Sequence, residues 1–252
     1  MTSPHLTIIT GASRGMGHAM AEQLIAAGHD LLCISRKTDD VLSAQATRKG
    51  VACEQWPHDL ARPESAAGKL ETWLSQRDGD ALESVTLINN AGLLPRIAPL
   101  GDIPARDLSD ALRVDLEAPM LLAGVFLRAT ATWKAKRKIL NISSGLGRSP
   151  MASQAAYCAA KAGMDHFSRC VALEEASRSN GAKIVSLAPG VIDTDMQVHL
   201  RGADGNRFPD IATFIGLKDK GVLASPHDAA AKVLAYLARA DFGAKPVADI
   251  RD

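Results

Sequence analysis

Tyr157 and Lys161 lie four residues apart and are the side chains of this sequence best suited to acid–base chemistry. On a helix they share one face, so the Lys161 ammonium can lower the pKa of the Tyr157 phenol. Moving a tyrosine pKa from ~10 to near neutrality needs about 4 kcal/mol, which one ammonium in a dry cleft can supply. An isolated pair of this kind is more often an ordinary amphipathic helix face, so the other motifs must decide.

A glycine-rich turn follows the first predicted strand and opens the first predicted helix. Its spacing is Gly-x3-Gly-x-Gly, which differs from the tighter Gly-x-Gly-x-x-Gly of many dinucleotide-binding folds. Glycines let the backbone turn sharply and approach a pyrophosphate, whose charge the helix N-terminus attracts. We expect the phosphate contacts here from Gly11, Ser13, Arg14, Gly15, Met16 and Gly17.

The residues after the second predicted strand are basic rather than acidic. An acidic side chain there would bind the ribose 2′-hydroxyl of NAD, whereas this chain has Ser35, Arg36 and Lys37, with Arg14 nearby in the glycine turn. Two guanidinium groups suit a 2′-phosphate and predict NADP(H), unless Arg36 is simply a solvated surface charge. Asp59 and Leu60, after a further apolar run, are placed to contact an adenine.

Three more polar motifs end predicted strands, where open α/β sheets bind their ligands. A Ser-Ser pair ends the fourth strand, and Ser144 lies thirteen residues before Tyr157, so its hydroxyl could bind a substrate carbonyl. The other two motifs could contact a cofactor through amides and backbone groups, although turn chemistry explains each one alone. Their candidate residues are Asn89, Ala91 and Gly92, then Pro189, Gly190, Ile192 and Thr194.

Apolar, β-branched runs alternate with amphipathic stretches along the whole chain. This alternation predicts βαβ units and a parallel sheet covered by helices on both faces, an α/β fold. No repeat or linker divides the 252 residues, so we expect one domain over 1–252. The predicted strands are 6–10, 30–34, 85–89, 138–142 and 183–187, and a long helix is predicted over 154–177.

The segment 198–222 is the least regular part of the sequence and is rich in Gly, Asp and Lys. It follows the last strand-end motif and precedes a helix that begins near Ser225. We expect it to be either a substrate lid or a plain surface excursion.

The composition argues against several classes of protein. The net charge is +1 with scattered basic residues, which predicts no nucleic-acid partner. The basic cluster 134–138 directly precedes a predicted strand and is expected at a solvated helix end or turn rather than in a phosphate-binding patch. Four cysteines and seven histidines show no disulfide or metal-ligand spacing, so no metal is expected. No apolar stretch is long enough to span a membrane and no signal peptide is recognisable, which predicts a cytoplasmic protein.

Taken in order, the glycine turn, the Asn-Asn-Ala-Gly motif, Ser144, Tyr157, Lys161 and Pro189-Gly190 resemble the short-chain dehydrogenase/reductase superfamily. The resemblance covers nearly the whole chain. It implies a Rossmann-type, doubly wound fold with a seven-stranded parallel sheet, and hydride transfer from a nicotinamide. It also implies that Tyr157 is the acid/base, that Lys161 holds the ribose and lowers the tyrosine pKa, and that Ser144 orients the carbonyl. Helices near 108–129 and 154–177 would pair in a homodimer or a tetramer.

The C-terminal half is similar, more narrowly, to sepiapterin reductases and the related bacterial benzil (1,2-diketone) reductases. The similarity rests on segments 157–162, 171–175, 188–190 and 193–197, and on the ending 242–249, which lacks a common Asp-Gly-Gly finish. In sepiapterin reductases an acidic residue near the end anchors the pterin. Asp249 is the candidate for that substrate-binding role here, or else a plain charged residue of the tail.

Asp115 departs from the family pattern, which usually places an Asn at this position in a catalytic tetrad. An ionised Asp accepts hydrogen bonds but cannot donate them. Asp115 could still serve through its backbone carbonyl or by strengthening the positive charge on Lys161. We therefore expect a working proton relay with an altered pH dependence.

The residues and the family resemblance together predict an NADPH-dependent carbonyl reductase. The resemblance implies that its substrates are small dicarbonyl or α-hydroxyketone compounds, including pterin side chains. Reduction of 3-oxoacyl thioesters, or broad alcohol or steroid dehydrogenase activity, is the alternative within enzymes. A regulator that senses NADP(H) without turnover is the alternative of another class.

Overall fold

The computed structural model describes residues 4–252, whose strands form one sheet. Seven strands lie in the order β3-β2-β1-β4-β5-β6-β7, and every pair is parallel. The strand order reverses between β1 and β4, which opens a crevice at their carboxyl ends. The strands are β1 His5–Thr10, β2 Asp30–Ser35, β3 Cys53–Pro57, β4 Ser84–Asn89, β5 Lys136–Ile142, β6 Lys183–Ala188 and β7 Val247–Asp249.

Helices connect successive strands and cover both faces of the sheet. A side-chain cap begins two of them: Asp39 accepts a hydrogen bond from the Val41 amide, and Ser225 accepts one from the Asp228 amide. The helices are α1 Gly15–Ala26, α2 Asp40–Lys49, α3 Pro63–Ser75, α4 Ala105–Leu112, α5 Ala118–Ala129, α6 Ala155–Ala176, α7 Asp195–Arg201, α8 Ile211–Asp219 and α9 Pro226–Ala238. A π-helical turn, Arg113–Glu117, joins α4 to α5.

Neighbouring residues of each central strand enter different apolar clusters, because successive side chains point to opposite faces. Ile8 of β1 belongs to the cluster that also holds Phe126 of α5, whereas Ile9 belongs to the cluster that holds Met20 of α1. All four side chains are fully buried. The sheet is thus covered on both sides, which explains why its strands are near-continuous apolar runs.

A third and smaller apolar cluster lies at the edge of the crevice. It contains Ile97, Leu200, Phe208 and Phe214, and the last two rings lie 5.5 Å apart between their centroids. The segment 198–222 therefore contains helix α8 and the end of α7, packed on their own apolar residues. We call 195–219, with this cluster, the wall segment.

The structure confirms the predicted parallel α/β sheet and adds β3 and β7, which the sequence did not identify as strands. The expectation for the basic cluster 134–138 holds only in part. Lys134 is exposed before the strand, as a solvated helix end or turn would be, whereas β5 already begins at Lys136 and buries Arg137. The Arg137 guanidinium lies 3.3 Å from the carboxylate of Glu175, which is also buried.

Candidate active site

A cavity of about 1500 Å³ lies at the carboxyl ends of the strands, where β1 and β4 diverge. The glycine turn after β1, the ends of β4, β5 and β6, the start of α6 and the wall segment all contribute to its surface. The topology that the sequence predicts therefore brings the separate motifs to one place. This is the crevice in which open α/β sheets bind ligands.

The glycine turn between β1 and α1 leaves no room for side chains at two of its positions. Gly11 has a φ of 71°, a left-handed conformation that favours glycine. A Cβ atom on Gly17 would lie 2.2 Å from the Gly11 carbonyl oxygen and 2.3 Å from Nδ2 of Asn90. The turn is thus packed closely against Asn90 and Ala91, and its glycines also line the cavity, at the N-terminus of a helix where a phosphate group can bind.

Polar side chains of neighbouring strands hold the turn in place. The Thr10 hydroxyl accepts hydrogen bonds from the amides of Asn90 and Ala91, at 2.9 and 3.0 Å. The side-chain amide of Asn90 donates in turn to the backbone carbonyl of Thr10 at 3.0 Å. Ser35 accepts from the Ala12 amide at 2.8 Å. The end of β4 and the end of β2 are therefore tied to the phosphate-binding turn.

The two arginines predicted to bind a 2′-phosphate both belong to the lining of the cavity. Both Arg14 and Arg36 are exposed and line the cavity. The Arg14 guanidinium donates to the Asp195 carboxylate at 2.6 Å, so Arg14 also joins the glycine turn to α7. Arg36 follows the last residue of β2 directly and belongs to the cavity lining.

Tyr157 and Lys161 lie on one face of α6 and both point into the cavity. The Lys161 ammonium lies 5.4 Å from the centroid of the Tyr157 ring and donates to the Ile142 carbonyl at 3.0 Å. Burial raises the pKa of Tyr157 above its usual value of 10, although the Lys161 charge and hydrogen bonding to Ser144 act in the opposite direction. Contrary to the expectation from the sequence, the net shift in this protein is thus upward.

Asp115 lies behind the cavity rather than in its wall. The π-helical turn carries it inward until its side chain is fully buried, with Oδ1 3.6 Å from Nζ of Lys161. The same oxygen accepts a hydrogen bond from the Leu93 amide at 3.1 Å. Burial raises the pKa of Asp115 to about 6, against the opposing effects of Lys161 and the Leu93 amide. Asp115 therefore contacts the side chain that faces the site, and not the cavity itself.

Asp249 reaches the cavity at the end of β7, but its carboxylate already has partners. Arg251 donates to both carboxylate oxygens at 2.7 Å, and Arg148 lies 4.0 Å away. The hydrogen bonds from the Arg251 side chain are the main reason why the pKa of Asp249 lies below its usual range, and the charge of Arg148 acts in the same direction. A pterin would have to compete with Arg251 for this group, and the substrate-binding role of Asp249 stays a prediction.

Arg148 links the tail to the loop that carries Ser144, a connection that the sequence did not suggest. Its guanidinium donates to the buried Asp165 at 3.0 Å and to the Ala248 carbonyl at 3.0 Å. Asp165 also accepts from the hydroxyl of Ser143 at 2.6 Å. The residue before Ser144 is therefore fixed by a buried carboxylate of α6.

Most of the residues selected from the sequence line the cavity, and two do not. Asn89 is buried and donates to the Asn141 side chain at 2.8 Å, so the cavity position belongs to its neighbour Asn90, which the sequence analysis missed. Asp115 is the other exception. The residues in the wall are Gly11, Ser13, Arg14, Gly15, Met16, Gly17, Arg36, Asp59, Leu60, Ala91, Gly92, Ser144, Tyr157, Lys161, Pro189, Gly190, Ile192, Thr194 and Asp249.

The described residues also carry two negative findings. From residue 4 onwards, no three His, Cys, Asp or Glu side chains are grouped so that they could hold a metal ion. Within the same part of the chain, no helix has the length and apolar character needed to cross a membrane.

Comparison with known proteins agrees with the family that the motifs in the cavity indicate. The family model for short chain dehydrogenases matches residues 5–204. A benzil reductase ((S)-benzoin forming) of Bacillus cereus is 34% identical over 235 residues, which cover 93% of this chain and 94% of that protein. A sepiapterin reductase of Bos taurus is 32% identical over 253 residues, which cover 92% and 89% respectively.

A solved structure supports the same assignment. The crystal structure of a metagenomic short-chain oxidoreductase in complex with NADP superposes with a TM-score of 0.72 at 25% identity, covering 98% of this chain and 95% of that one. The family model and the two curated relatives each extend over well more than half of the chain. The chain therefore belongs to the short-chain dehydrogenase family and is an oxidoreductase.

Proposed function

We propose that this enzyme is an NADPH-dependent carbonyl reductase whose substrates are small 1,2-dicarbonyl compounds, of the benzil type or with a pterin side chain. The observation that carries the proposal is the meeting of Ser144, Tyr157 and Lys161 with the glycine turn in one cavity. The similarity to a benzil reductase over 93% of the chain supports the substrate class. The free cysteines are compatible with the cytoplasmic location predicted from the sequence.

The cavity fits a dinucleotide at the glycine turn. Gly11, Gly15 and Gly17 line the cavity at the N-terminus of α1, where the helix end attracts phosphate groups. Arg14 and Arg36 would bind a 2′-phosphate, and in residues 35–37 no acidic side chain is present that would select NAD. A bound NADPH supplies the hydride for reduction.

The side chains at the other end of the cavity provide the proton and orient the substrate. Ser144 would bind the carbonyl oxygen and hold the carbonyl beside the phenol of Tyr157. Because burial raises the pKa of Tyr157, the phenol keeps its proton at neutral pH, which suits the donor in a reduction. The Lys161 ammonium would stabilise the phenolate that remains after the proton has moved to the substrate oxygen.

A direct test follows NADPH consumption with a panel containing benzil, diacetyl, sepiapterin, a 3-oxoacyl thioester and a steroid ketone. We expect turnover of the diketones, with at least tenfold higher kcat/KM for NADPH than for NADH. The Tyr157→Phe variant should lose about 100-fold or more in kcat, because the proton donor is removed. Tyr236→Phe is the matched control, since it changes the other tyrosine, which lies on α9 outside the cavity.

The panel also separates the alternatives. Preference for the 3-oxoacyl thioester or the steroid would replace the proposed substrate class. Tight binding of NADP(H) with no turnover of any carbonyl compound would instead indicate a regulator that senses the cofactor.

A further inference from the structure

Gln154 is a buried polar side chain for which the chemistry above has no use. It is 1% exposed and it lines the cavity, just before the first residue of α6. Neither its amide nitrogen nor its amide oxygen has a hydrogen-bond partner. A buried amide without partners is costly to keep, so its presence in a binding cavity points to a ligand.

Gln154 differs in this respect from the other side chains with an unpartnered buried atom among residues 4–252. Asn89, Asp115 and Arg137 each have one such atom, and each has a hydrogen bond through another of its polar atoms. Gln154 has none on either side of its amide. A structural role through its side-chain polarity is therefore not visible for Gln154.

The backbone before Gln154 is held in an unfavourable conformation that fixes this corner of the cavity. Ser153 has a φ of 61°, in the left-handed region that residues other than glycine rarely adopt. Its hydroxyl donates to the backbone carbonyl of Arg207 in the wall segment, and the Arg207 guanidinium pairs with the carboxylate of Asp102. The start of α6 is thus anchored to the wall segment directly before Gln154.

The position of Gln154 relative to Tyr157 suggests which substrate atom it meets. Residues three apart at the start of a helix lie on the same side, and both side chains line the cavity. In the proposed reaction, Ser144 and Tyr157 already provide the hydrogen-bonding groups for the oxygen of the carbonyl that is reduced. The wall of the same cavity also carries apolar side chains, among them Leu146, Met151 and Met196. An amide in such surroundings suits one further oxygen atom of a largely apolar substrate.

We propose that Gln154 determines substrate specificity by binding the second oxygen of compounds that carry oxygen on two adjacent carbons. Its N–H donates to the carbonyl that is not reduced in a 1,2-diketone. Its C=O accepts from the hydroxyl in an α-hydroxyketone, since an amide offers both a donor and an acceptor. This inference rests on the proposed carbonyl reductase function and identifies the group that would select its substrate class.

The test compares benzil with deoxybenzoin, which has a methylene in place of the second carbonyl and is otherwise the same molecule. Gln154→Met keeps the length of the side chain and removes its donor and strong acceptor. We expect the benzil-to-deoxybenzoin ratio of kcat/KM to fall about tenfold or more in this variant. Gln76→Met is the matched control, because Gln76 is exposed at the end of α3 and should leave the ratio unchanged.

Thermal unfolding of the cofactor-free proteins gives a second and independent readout. Replacing an unpartnered buried amide by an apolar group of similar shape should leave Tm equal to or above that of the wild type. A lower Tm or a failure to fold would show that the amide has a structural partner, which overturns the inference. An unchanged substrate ratio in a folded variant overturns it as well. If the wild type reduces neither ketone, the result contradicts the proposed carbonyl reductase function itself and not only the role of Gln154.

Discussion

At the scale of single residues, Asp115 is the side chain that departs furthest from what its family would provide. Its carboxylate is fully buried beside Lys161 and keeps one oxygen without a partner. Placing an Asn here would retain an acceptor for the Leu93 amide and remove the titratable group. The carboxylate therefore makes the stability of the protein depend on pH in a way that the amide would not.

The sign of that dependence follows from the pKa of Asp115, which is about 6 when folded and 3.8 for an ordinary carboxyl. Between pH 4 and 6 the folded protein holds a proton that the unfolded chain has lost, so stability falls as pH rises through this window. We expect Asp115→Asn to gain stability relative to the wild type from pH 4 to 7, on the order of 2–3 kcal/mol. Urea unfolding at several pH values measures this.

Activity of the same variant provides the accompanying check. Because Asp115 lies behind the cavity, kcat/KM at pH 7 should remain within about tenfold of the wild type. A stability difference that is the same at every pH would contradict the proposed titration of Asp115. Complete loss of activity would show that the carboxylate is essential to the reaction.

At the scale of elements, the connection from β1 to α1 depends on close backbone approach. Gly17 lies against the Gly11 carbonyl and Asn90, which belong to two different parts of the fold. The end of β4 can therefore reach the glycine turn only if position 17 carries no side chain. This requirement is geometric and does not depend on a bound cofactor.

Gly17→Ala should destabilise the protein by about 3 kcal/mol or more, because the added methyl collides with backbone and cannot be accommodated by a rotamer change. Cofactor affinity should fall with it. Gly68→Ala is the matched control: Gly68 lies within α3 with nothing within 4 Å of an added Cβ, so the change should stabilise by up to about 1 kcal/mol. Thermal unfolding distinguishes the two; equal effects would refute the argument.

The elements also show how far the sequence could lead. The apolar runs predicted five strands correctly, and the strand-end rule predicted that the motifs meet at one edge of the sheet. Whether Asn89 or Asn90 faces the cavity depends on where β4 ends, because successive side chains point in opposite directions. The sequence alone did not give that end, so the two residues could not be told apart. Gln154 matches no motif, and its importance comes only from burial without a partner.

At the scale of the whole molecule, α5 and α6 leave large apolar side chains on the surface. Leu173 of α6 is 76% exposed and Met120 of α5 is 44% exposed. α6 packs at Gly163 against Leu116, which belongs to the π-helical turn directly before α5. Exposed apolar surface of this kind is typical of an interface, and the homodimer that the family resemblance implies stays a prediction.

Leu173→Glu should weaken a dimer through this face by 100-fold or more, because a charge would be buried in an apolar contact. Light scattering after size-exclusion chromatography would then show a monomer where the wild type shows a dimer. Val41→Glu introduces the same charge at a site on α2 that is 55% exposed, and should not change the molecular mass in solution. A monomeric wild type would rule out the predicted assembly.

The separate apolar cluster of the wall segment has a consequence for how the substrate range of such an enzyme can diversify. Ile97, Leu200, Phe208 and Phe214 share no member with the clusters that hold the sheet together. Leu200 and Phe214 also line the cavity, so substitutions there can reshape one side of it. Both are buried in the wall cluster and not in the clusters of the sheet, so the cost in stability should add independently to the effects of substitutions in the sheet. A changed substrate range can thus be acquired at the wall without repacking the sheet.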